Sequence, residues 1–108
     1  MSDSQKHPFD NLSPDLLIDA VESVGFMSDG RLLALNSYEN RVYQVGIEDQ
    51  TPMIAKFYRP ERWSREQILE EHEFCFQLVE QELPVVAPWC SADGNSLNDF
   101  GGFRFALF

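Results

Sequence analysis

The sequence predicts an α+β domain of two helices and five strands in the order α-β-β-β-α-β-β. Three observations carry this expectation. Two segments open on helix-capping residues and continue with apolar positions at helical spacing. Short runs rich in β-branched and aromatic residues lie between and after them, bounded by turn-forming residues. A chain of 108 residues that is 44% hydrophobic, with nine phenylalanines, has the apolar surface for one real core.

The first helix is read in residues 13–25, SPDLLIDAVESVG. Ser13 is a capping residue, Pro14 suits the first helical position, Asp15 favours the positive end and Gly25 suits the stop. Leu16, Leu17, Ala20, Val21 and Val24 form its apolar stripe. Strands follow at 31–35, 41–47 and 53–58, with the polar EDQTP stretch as the connection between the last two. Ser64, with Gln67 three residues later, forms a capping box that opens a long helix running to about Glu82. Pro84 and Pro88 end the helical run. Two more strands are predicted near 85–92 and 102–108, with ADGNS as the turn between them. The last residues, FRFALF, stop on an aromatic residue inside a strand signal. Domains seldom finish so, and the chain reads as a fragment, with residues 1–11 expected to be flexible.

Eighteen acidic residues against eight basic ones give a net charge of −10. That weighs against nonspecific binding to nucleic acid or to an anionic membrane, since both need a basic surface. No apolar run is long enough to span a bilayer. The N-terminal MSDSQKHPFD lacks the basic and apolar regions of a secretory signal, so a cytoplasmic setting is expected. Cys75 and Cys90 have no metal-ligand spacing and read as thiols in or near the core. Lys56, Arg59, Arg62 and Arg65 are half of all cations and lie within ten residues. They either balance nearby glutamates or form a site for an anion such as phosphate.

One residue poses a sharper question. Lys56 sits in MIAKFY, a strand on which both faces are apolar, and an unpaired buried ammonium is costly. In the long helix, Ile68, Leu69, Phe74, Cys75, Phe76, Leu78, Val79 and Leu83 project onto one broad arc. Glu66, Glu70, Glu73 and Glu80 fall opposite it. Glu71 falls inside it, in line with Cys75 and Leu78. The simplest arrangement pairs Lys56 with Glu71, either as a structural ion pair or as a functional one. His72, also inside the arc, reads as a satisfied core histidine. Neither a GxGxxG loop nor a GxxxxGK[ST] loop is present.

A strand lysine followed by a helix glutamate, in this order of elements, is the plan of a protein-kinase N-lobe. The runs LNSYENRVYQV and KFYRPERWSREQILEEHEF closely resemble the bacterial stress response kinase A family. That family has a kinase-like fold related to aminoglycoside phosphotransferases and choline kinases. The resemblance covers about Leu12 to Phe108. It implies a five-stranded antiparallel sheet with one long helix and an N-terminal helix. It further implies a serine/threonine protein kinase using ATP and Mg²⁺ in the bacterial stress response; a small-molecule phosphotransferase or a noncatalytic binding module are the alternatives. By resemblance, Lys56 orients ATP phosphates and Glu71 holds it, with Glu70 as fallback. Residues 36–40 take the place of the glycine-rich loop, without a glycine; Ser37 there matches the residue associated with ATP, and Asn40 and Arg41 are weaker candidates. Val42 and Ile54 match the residues that pack over adenine. Arg59, Arg62 and Arg65 brace the strand-helix connection, with phosphate contact as an alternative. The family's catalytic loop, of HGDxHxxN type, and its magnesium ligands belong to a C-lobe that these residues do not contain. No catalytic residue is therefore assigned here, the protein acceptor is expected to meet that C-lobe, and the 108 residues alone are expected to be inactive.

Overall fold

A computed structural model describes residues 9–35 and 39–108. Seven elements follow in the expected order: α1 (Pro14–Ser23), β1 (Ser28–Leu35), β2 (Arg41–Ile47), β3 (Gln50–Phe57), α2 (Arg65–Glu80), β4 (Asn98–Phe100) and β5 (Phe103–Leu107). The strands form one antiparallel sheet in the order β1-β2-β3-β5-β4.

The sheet's alternation sorts its side chains between two helices. On one face, Val45, Met53, Ala55, Phe57, Phe103, Phe105 and Leu107 meet Leu17, Ala20 and Val21 of α1 in the main core. Phe57 and Phe105 stack at 5.0 Å between ring centroids and are fully buried. Burying side chains of this size stabilises by about 1.5–3 kcal/mol each. Of the residues expected to be flexible, 1–8 lie outside the described residues. Phe9 is instead part of this core, stacked on Phe103 at 6.1 Å. On the other face a smaller cluster joins Tyr58, Ile68, Leu97 and Ala106, with Trp63 and Phe108 packed against it.

Both helix starts match their caps. Ser13 Oγ accepts the Leu16 N–H at 3.1 Å, and Pro14 opens α1. Ser64 Oγ accepts from Gln67 N at 3.1 Å while Gln67 Oε1 accepts from Ser64 N at 2.9 Å, a complete capping box. The β2–β3 connection is shorter than the EDQTP stretch suggested. Thr51 and Pro52 belong to β3, and the ladder shifts register between Val45 and Ile47. Pro52 falls within that irregularity, where its missing N–H costs no regular ladder bond.

The predicted strand at 85–92 does not form. Pro84 and Pro88 have no N–H to donate, and Val85 and Val86 are exposed, so the segment holds the sheet by one bond from Trp89 N to Leu107 O at 2.6 Å. The ADGNS turn does form, closed by Gly94 N to Ser91 O at 2.8 Å. The strand before β5 is instead the short Asn98–Phe100, joined by Gly101-Gly102 with φ of 61° and 87°. Two consecutive positive φ values make the tight hairpin turn that glycine adopts without strain. The two thiols are free; Cys75 is half-buried, but Cys90 is exposed, contrary to its expected place near the core. Among the described residues no helix is long and apolar enough to cross a membrane.

Candidate functional site

Ladder register decides which side chains share a face with Lys56. Lys56 stands opposite Val42 on β2 and Ala106 on β5, and Val42 stands opposite Leu35 on β1. Ile54, two residues earlier on β3, exchanges both backbone hydrogen bonds with Phe108, at 3.0 and 2.8 Å. Leu35, Val42, Ile54, Lys56 and Phe108 thus form a patch of half-buried side chains on the face that carries α2.

The helix brings Glu71 to the lysine. Lys56 Nζ lies 3.8 Å from Glu71 Oε1, and the ammonium also sits 5.0 Å over the Tyr58 ring. The pairing matches the sequence reading, but its setting does not. The Glu71 side chain is 58% exposed and that of Lys56 27%. The broad apolar arc is not a buried face either. Leu69, Phe74, Val79 and Leu83 are exposed, and within α2 only Ile68 and His72 are buried. The helix meets the sheet along a narrow line, so a residue beside that line, such as Glu71, reaches the cleft while staying wet. An ion pair this exposed contributes at most about 1 kcal/mol to stability. The pair is therefore not needed to neutralise a buried charge.

A cavity of about 210 Å³ opens around the pair, lined by Asn40, Lys56, Tyr58, Trp63, Gln67, Ile68 and Glu71. The sequence reading missed Tyr58, Trp63 and Gln67 as lining residues; the signal for Tyr58 was its place on the same strand face as Lys56. Asn40 Oδ1 accepts the Arg59 N–H at 3.0 Å, which fastens the end of the β1–β2 loop to the end of β3. Ser37 lies outside the described residues. A larger cavity of about 430 Å³ lies on the far side of Tyr58, Trp63 and Ile68, away from Lys56, with Arg59 and Arg104 in its lining.

The arginine cluster braces the connection between β3 and α2. Arg62 pairs with Glu39 at 3.1 Å and lies 4.1 Å over the Trp63 ring. Arg65 pairs with Asp99 at 3.2 Å. Arg104 donates to the Trp63 carbonyl at 3.2 Å. Behind the pair, His72 is buried with both ring nitrogens engaged: Nε2 with Tyr58 Oη at 2.9 Å and Nδ1 with Ser96 Oγ at 2.7 Å. Burial pushes its pKa down, with Lys56 adding to the effect and Glu71 opposing it. Burial, then the negative charges of Glu71 and Cys75, pushes the Tyr58 phenol up. Both groups are neutral near pH 7. The core-histidine reading of His72 holds.

Residues 31–108, which contain β2 to β5, α2 and both members of the ion pair, match the model of the phosphotransferase enzyme family. The chain belongs to the phosphotransferase enzyme family. Its five-stranded antiparallel sheet with two helices is the kinase-like N-lobe arrangement that the sequence resemblance implied. The chain is 51% identical over 100 residues to stress response kinase A of Escherichia coli K12, covering 93% of this chain and 30% of that protein. It is 48% identical, with the same coverage, to the serine/threonine protein kinase RdoA of Salmonella typhimurium. The chain thus spans about three-tenths of the length of these curated relatives. The resemblance to stress response kinase A is borne out by these identities.

Proposed function

We propose that this chain is the ATP-binding N-lobe of a serine/threonine protein kinase of the bacterial stress response. The observation that carries the reading is the Lys56–Glu71 pair, assembled from β3 and α2 at 3.8 Å beside half-buried Val42 and Ile54. A half-buried lysine at a cavity mouth, tethered by an exposed carboxylate, suits a polyanion that arrives and leaves. Its charge is available without the desolvation that full burial would impose. The half-buried apolar patch beside it suits a flat purine ring, which sheds water on binding.

The roles then divide by element. ATP supplies the transferable phosphoryl group. Lys56 offsets charge on its phosphates, and Glu71 keeps the ammonium in the cleft. Val42 and Ile54 exclude water from the base. Ser37 and Asn40, in the β1–β2 connection, complete the cradle over the phosphates. Among the described residues no group of three His, Cys, Asp or Glu side chains converges, and the Mg²⁺ that accompanies ATP would be held by the C-lobe ligands that the resemblance implies. Protein serine or threonine as acceptor rests on the name of the Salmonella relative. The family's broader name makes a small hydroxylated molecule the second reading.

Lys56→Met in the intact protein tests the assignment. It should abolish phosphoryl transfer from γ-labelled ATP while the circular dichroism spectrum stays native. Wild-type turnover in the mutant would sink it. Label appearing on phosphoserine or phosphothreonine supports the protein-kinase reading; label on an aminoglycoside or choline hydroxyl alone supports the other.

A further inference from the structure

α2 carries Glu71, yet beyond the exposed Arg65–Asp99 pair at its first residue little holds α2 to the sheet. Its buried residues are Ile68 and His72, one apolar contact and one polar one. An apolar contact resists separation but is non-directional, so it does little to fix rotation about the helix axis. Hydrogen bonds do so, because they weaken steeply with angle. His72 makes two, in opposite directions. One reaches Tyr58, just past the end of β3 and two residues on from Lys56, and the other reaches Ser96, in the segment that leads into β4. The next residue on the helix toward its N-terminus is Glu71. Tyr58 touches the site twice, since its ring lies under the Lys56 ammonium and its hydroxyl meets the histidine.

We propose that Tyr58, His72 and Ser96 form a positioning network that fixes the rotation of α2 against the sheet and so holds the Glu71 carboxylate opposite the Lys56 ammonium. The three side chains come from the residue that follows β3, from α2 and from the β4 approach, so the network ties together three separate segments around the cleft. All three are buried, which strengthens their hydrogen bonds and makes a broken partner costly. A neutral imidazole has one donor and one acceptor, and each hydroxyl can supply the complement. The inference rests on the reading of Lys56 and Glu71 as a nucleotide cradle. None of the three residues is placed on the nucleotide itself; Tyr58 lines the cavity, and its ring is kept in the test.

The test pairs two readouts. Lysine side chains labelled with ¹³C give a Lys56 resonance, assigned by its loss in Lys56→Met; Glu71→Gln should shift it. Ser96→Ala and Tyr58→Phe, which leave the Lys56 and Glu71 side chains and the ring beneath the ammonium in place, should shift it in the same direction. In the intact protein each should also lower kcat/KM for ATP by about threefold to tenfold, the range for one lost hydrogen bond. Combined with Glu71→Gln, they should lose little more, since the group they position is already gone. An unmoved Lys56 resonance, or losses that simply multiply in the double variants, would overturn the network. Wild-type turnover of Lys56→Met would instead overturn the nucleotide reading, and the resonance would still judge the positioning.

Discussion

Glu71 and Glu73 separate two ways of being a glutamate on the same helix. Both are exposed, but Glu71 alone of the two pairs with Lys56. Glu71→Gln keeps size and removes charge, so the expected loss of phosphoryl transfer is about tenfold or more, at the level of one charge-assisted contact. Glu73→Gln should lose less than about twofold on the same measure. Equal losses in a steady-state assay would show that the wrong carboxylate had been assigned. The helical projection found Glu71 for a partly mistaken reason. It placed the residue among apolar neighbours that turn out to be exposed, whereas what matters is its place one residue from the buried line of Ile68 and His72.

α2 also shows how far local sequence signals reach. Its capping box was readable because both hydrogen bonds lie within four consecutive residues. Ser64→Ala should therefore cost about 1 kcal/mol, measured as a lower urea midpoint at unchanged slope. No change at all would mean that α2 starts elsewhere. The β4 strand was not readable in the same way. VVAPWC looks more strand-like than NDF, and intrinsic preference favours it. Position in the sheet goes to the partner that can pair. Asn98–Phe100 folds back onto β5 through Gly101-Gly102, while the prolines upstream cannot donate. The segment before the hairpin is left with one backbone bond to Leu107.

The whole chain carries ten excess negative charges, so mild acidification relieves self-repulsion. His72 works in the other direction. Its pKa is lowered in the fold, mainly by burial, so the unfolded chain binds a proton more readily. Its contribution is fully present above the unfolded value of about 6.5 and is lost as pH falls through the lower folded value. Urea midpoints measured from about pH 7 down to about pH 5 should therefore fall more steeply for the wild type than for His72→Phe. Parallel profiles would mean that His72 is not buried neutral. The sequence by itself determined the order of elements, both helix starts, the apolar face that becomes the main core, and Lys56 with Glu71 as the pair to watch. These follow from periodicity and from caps, which act over a few residues. Only the tertiary structure decided that Glu71 is exposed while Lys56 is half-buried, and that β4 is Asn98–Phe100 rather than a strand at 85–92. It likewise decided that Phe9 belongs to the core and that His72 joins Tyr58 to Ser96 across three separate segments. Burial and pairing depend on which surfaces meet across the fold, and no local pattern in the chain records that.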